Sequence, residues 1–125
     1  MQSSVLNHVD RLLHFRDGLR VFLDLCAEPA YRRLVIEDGP AVLGPRRCRE
    51  IENDSAIGMM VAAMKELKRA GTIKVSNAEL AARMLASMVC EAALLLADAV
   101  KPAEFKRDAI VIVNRTLDAL SSDGP

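Results

Sequence analysis

The chain has 125 residues, 51% of them hydrophobic, with 17 Lys+Arg against 17 Asp+Glu, which suits one domain with a useful core and excludes a strongly basic protein built to grip phosphate backbone. Its aromatic residues are only Phe15, Phe22, Tyr31 and Phe105, too few for a platform on which single-stranded bases stack. The longest uncharged stretch, Ser55–Met64, falls far short of a membrane-spanning helix, and the start MQSSVLNHVD carries no secretory pattern.

Val5, Val9, Leu12, Leu19, Leu23 and Cys26 recur at helical spacing between Ser4 and about Glu28, with Arg11, Arg16, Arg20 and Asp24 on other faces. Gly18 is the point where this helix is expected to bend or restart. Pro29 fits the first position of a short helix, Ala30–Ile36, which Asp38-Gly39-Pro40 closes. Ala41–Pro45 reads as a connector. From about Arg46, the positions Cys48, Ile51, Ile57, Met60, Val61, Met64 and Leu67 give a long helix ending at Arg69-Ala70-Gly71, with Gly71 as a left-handed stop.

Ser76 and Glu79 have the spacing of a capping box, with Ser76 as the cap, opening a helix from Asn77 to about Val100. That helix is apolar nearly all round: Leu80, Met84, Met88 and Leu95 on one side, Leu85, Val89, Ala92 and Leu96 on another. Pro102 starts the last helix, whose stripe is Phe105, Ala109, Ile112, Val113, Thr116, Leu117 and Leu120, and the tail SSDGP frays. Thr72–Val75 alone looks strand-like and is too short to build a sheet. The sequence thus predicts an all-α domain of five helices over residues 1–125.

A helix apolar on most of its circumference must be covered on most of it. Five helices hide one broad face of Asn77–Val100, so the other face and the stripe of the last helix call for a partner. A symmetric homodimer through a four-helix bundle meets that need. The expected interface is Leu95, Phe105, Ala109, Ile112, Val113, Thr116, Leu117 and Leu120.

No GxSxG, HExxH, Walker or dinucleotide glycine pattern occurs, so neither catalysis nor a cofactor is expected. Asp10-His14-Asp17 puts a histidine between carboxylates at helical spacing, read as surface ion pairing and not as a metal site. Cys26, Cys48 and Cys90 are odd in number and lack a CxxC, which fits reduced thiols of a cytoplasmic protein. Cys26 and Cys90 lie on apolar stripes and read as inert core residues. Arg46-Arg47-Cys48-Arg49, beside Glu50 and Glu52, reads as a solvated, self-paired helix start. Glu91 is the only charge between Arg83 and Asp98, so it pairs with an arginine, faces an interface or lines a cavity. Asn53-Asp54-Ser55 interrupts an apolar pattern just before Met59, Met60 and Met64, adaptable side chains that suit either core or pocket.

Residues 22–51, FLDLCAEPAYRRLVIEDGPAVLGPRRCREI, resemble the regulatory domain of TetR-family transcriptional regulators. The matching pieces are Phe22-Leu23-Asp24, Pro29, Arg32-Arg33, the run Asp38-Gly39-Pro40-Ala41-Val42-Leu43-Gly44, and Arg49-Glu50-Ile51. Gly71, Leu80-Ala81 and Glu91-Ala92-Ala93 follow in the family's order. The resemblance implies dimerisation through the last two helices and a small effector in a cavity walled by the first helix, the Arg46–Ala70 helix and the Asn77–Val100 helix. It implies Phe22, Cys48, Ile51, Asp54, Ser55, Met59, Met84 and Glu91 as ligand-binding candidates, around a mostly apolar molecule held by one or two hydrogen bonds. Pro45 and Cys48 stand in a region where relatives of this subtype often carry tryptophan, which implies a roomier cavity. Only about 20 residues precede the matching region, against the three helices of a DNA-binding unit, so no direct DNA binding by this chain is expected. A second arrangement is a stand-alone helical protein that pairs with a full-length TetR-like relative.

Overall fold

Phe15, Leu19, Phe22, Leu23 and Cys26 fall on one side of a single continuous helix, α1 (Gln2–Ala27), and form its buried face. The computed structural model describes residues 2–47, 50 and 56–121. Gly18 does not interrupt α1: a Cβ there would meet nothing within 4 Å, and the helix runs through it. The two phenylalanines, not Val9, fill the core, and Val9 is exposed.

Glu28 then caps α2 (Pro29–Tyr31), its carboxylate accepting the Tyr31 N–H at 2.9 Å, with Pro29 in the first turn. The helix expected over Ala30–Ile36 does not continue as an α-helix. Arg32–Glu37 winds as a π-helix, with Asp38 N–H donating to the Arg33 carbonyl at 2.9 Å. Gly39-Pro40 opens the next helix and does not merely close the last one: α3 (Gly39–Leu43) occupies most of the expected connector and ends at Gly44, where φ is +83°.

The helix expected from Arg46 is described over residues 45–47, at 50, and as α4 (Ala56–Arg69). Met60, Val61, Met64 and Leu67 form the buried face of α4. Its end has the predicted form. Gly71 has φ +80°, Thr72 N–H donates to the Leu67 carbonyl and Gly71 N–H to the Lys68 carbonyl, the paired bonds of a left-handed helix stop. The short segment that follows is a packed loop. Ile73 is buried, Lys74 N–H donates to the Leu120 carbonyl at 2.9 Å, and buried Thr72 shares a 2.5 Å hydrogen bond between its Oγ1 and His8 Nδ1 of α1.

Asn77, not Ser76, caps α5 (Ala78–Leu96), its Oδ1 accepting the Leu80 N–H at 3.0 Å. Glu79 lies 3.2 Å from Arg83 and 3.8 Å from Lys65, pairing sideways and not back onto the cap. The helix stops at Leu96, short of Val100, and a turn leads into α6 (Pro102–Ser121). Helix α5 is the hub, packing on α4, α1 and α6 through Ala78, Ala82, Leu85, Ala86, Val89 and Ala93. Small residues along that face let the neighbouring backbones approach closely. Among the described residues there is no strand, and no helix is long and apolar enough to cross a membrane.

Candidate functional site

The inward face of α5 is made of alanines with Leu85 and Val89, so its larger apolar side chains are left on the other side. Leu80, Met84 and Leu95 are exposed, with Met88 half-buried between them. On α6 the expected single stripe splits into two faces. Val113 and Leu117 turn into the chain's own core, Leu117 completely, whereas Phe105, Ala109 and Ile112 border the exposed side of α5. Ile112 is 59% exposed and Met84 60%. The two helices thereby frame a shallow groove of about 940 Å³, apolar along its length, with Arg83, Ser87, Glu91 and Asp108 as its polar members.

The candidate ligand-binding residues that are described do not meet in one place. Phe22 is 3% exposed and packed in the core with Leu19, Leu23 and Cys26. Met84 and Glu91 belong to the α5–α6 groove on another side of the molecule. The expectation that Met84 faces the interior is therefore corrected, because the adjoining positions Ala82, Leu85 and Ala86 hold the inward face of α5. Met59 likewise does not face inward. It is 75% exposed, because Met60, Val61 and Met64 take the core side of α4. Cys48, Ile51, Asp54 and Ser55 lie outside the described residues.

Of the interface candidates, Leu95, Phe105, Ala109, Ile112 and Val113 line the groove, Thr116 is half-buried with its hydroxyl donating to the Ile112 carbonyl at 2.9 Å, and Leu120 packs against the core. Leu80 and Met88 belong to the same surface; their membership was legible in the α5 stripe although the interface prediction left them out. Arg47 pairs with Glu50 at 3.1 Å on the surface, and Asp17 lies 3.5 Å from Arg20 and not against a histidine.

A pair of thiols sits deeper. Cys26 Sγ on α1 and Cys90 Sγ on α5 are 3.9 Å apart, with no disulfide bond between them. The hydrogen bond shared with Cys90, then burial, then the unfavourable field of a second thiol push the Cys26 thiol far above its ordinary range. Among the described residues no group of His, Cys, Asp and Glu is arranged to hold a metal.

Fold and groove together define an all-α domain with one apolar helical face left uncovered. Over residues 12–120 the sequence matches the family described as Tetracyclin repressor-like, C-terminal domain, and the chain belongs to that family. It is thus a regulatory domain of the kind found in TetR-family transcriptional regulators, a family that is regulatory and not enzymatic. No curated protein and no solved structure matches the chain.

Proposed function

We propose that this chain is the effector-binding and dimerisation domain of a TetR-like regulator, acting in the cytoplasm as a homodimer built on α5 and α6. The observation that carries the reading is the uncovered apolar face of those two helices, where Leu80, Met84, Leu95 and Ile112 are exposed side by side. Contiguous apolar surface of this kind marks an association site. Pairing it with its two-fold copy completes a four-helix bundle. Family membership supports a small, mostly apolar effector as the signal, taken in a cavity between α1, α4 and α5.

The split stripe of α6 supplies the test. Ile112→Glu places a charge on the uncovered face and leaves the chain's own core intact, so light scattering should give a folded monomer with an unchanged circular dichroism spectrum. Leu117→Asp buries a charge inside the protomer and should unfold it, at a cost of about 3 kcal/mol or more. An Ile112→Glu protein that remains dimeric contradicts the assignment of the face.

On this reading the chain by itself has no sequence-selective affinity for DNA, since its charge is balanced and no basic recognition helix is present among the described residues. Gel retardation of duplex DNA should be absent at physiological salt. Nanomolar, sequence-selective retardation contradicts it.

A further inference from the structure

The fold brings together two thiols that are 64 residues apart in the chain, Cys26 of α1 and Cys90 of α5, with 3.9 Å between the sulfurs. Small neighbours make the contact possible. Ala86 and Ala93 stand about one turn to either side of Cys90, both buried on the inward face of α5, against which α1 packs. Side chains of that size let the α1 backbone come close. A disulfide requires such an approach, since its two Cα atoms stand within about 7 Å of each other. Rotation about χ1 at the two cysteines is then the movement that carries the sulfurs from contact to the bonded separation of about 2 Å.

The two thiols differ in access. Cys26 is completely buried, whereas Cys90 is only half-buried. Burial and the bond shared with Cys90 keep the Cys26 proton in place, so an oxidant in solution meets Cys90 and not Cys26. A two-step oxidation needs that division: one sulfur open to the oxidant, and a second, shielded, within reach of the first. A solitary core cysteine offers only packing, and the pairing is what lifts Cys90 out of the inert role its apolar stripe suggests.

We propose that Cys26 and Cys90 form an oxidation site at which a hydroperoxide converts the dithiol to a disulfide that ties α1 to α5. In the first step the Cys90 sulfur, as thiolate, attacks a peroxide oxygen. The S–O bond forms, the O–O bond breaks, and the departing hydroxide takes up a proton and leaves as water. In the second, the Cys26 sulfur attacks the Cys90 sulfenic acid. The S–S bond forms, the S–O bond breaks, and the hydroxide released takes the Cys26 proton and leaves as a second water. The two sulfurs together lose two electrons, and the peroxide gains them. In a reducing compartment the bond is transient, because small thiols restore the pair by exchange. The site needs neither the α5–α6 face nor an effector, so it stands independently of the proposed function.

Hydrogen peroxide is the probe. The wild-type chain is exposed to it while folded, blocked with an alkylating agent and mapped by peptide mass spectrometry. The Cys26 and Cys90 peptides should be joined in a product that has lost two hydrogens and that dithiothreitol reverses. Its far-ultraviolet circular dichroism should be unchanged and its melting temperature raised by several degrees. In Cys26→Ala, Cys90 should stop at a sulfenic acid that dimedone traps; in Cys90→Ser, Cys26 should stay a thiol at the same dose. The site is overturned if both thiols survive millimolar peroxide in the folded wild type, or if Cys90 is bridged to Cys48 or to a second chain instead. Oxidation of Cys26 as fast in Cys90→Ser as in the wild type also overturns it.

Discussion

Cys26 shows how one side chain ties the fold to solution conditions. Its thiol is held protonated by Cys90 and by burial, well above the ordinary value of 9.0 at which it titrates in the unfolded chain. Below pH 9 both states keep the proton and the contribution to stability is complete. Above it the unfolded chain releases a proton that the folded chain retains, so stability falls with rising pH. Urea midpoints measured at pH 8 and pH 10 should therefore drop further for the wild type than for Cys26→Ala; equal drops in the two proteins contradict the assignment. The sequence placed both cysteines in the core, but 64 residues separate them and nothing local announced that they touch. The bond between His8 and Thr72, also 64 residues apart, was hidden for the same reason.

At the scale of elements, helix-forming periodicity located α1, α4, α5 and α6 within the described residues, and local chemistry set their ends. The stop at Gly71 was readable because only a residue free of a Cβ takes φ near +80° without strain. The start of α5 was one residue off. Ser76 and Asn77 are both good caps, and the competition was decided by which oxygen reaches the Leu80 N–H, a matter of backbone direction and not of residue type. Asn77→Ala should accordingly destabilise the domain by about 1 kcal/mol in urea unfolding, whereas Ser76→Ala should leave it nearly unchanged. A larger loss at Ser76 than at Asn77 contradicts the observed cap. The π-helix at Arg32–Glu37 left no periodic signature, because six residues are too few to distinguish it from an α-helical turn.

For the whole molecule, the sequence showed an excess of apolar surface on α5 but not which side would be left over. That choice was made by volume. The alanines at positions 78, 82, 86 and 93 let α4 and α1 approach, and bulky Leu80, Met84 and Leu95 were consequently turned outward. The same choice divided α6 and moved Leu117 from an expected interface into the protomer's own core, while Ile112 stayed outside. It also separated the candidate ligand-binding residues, since Phe22 belongs to the core and Met84 and Glu91 to the uncovered face. The central claim, that this face is where two copies of the chain meet, is tested most directly by sedimentation equilibrium of the wild-type protein at micromolar concentration. The account predicts a species of twice the 13.7 kDa chain mass, and a stable, folded species of the single-chain mass would contradict it.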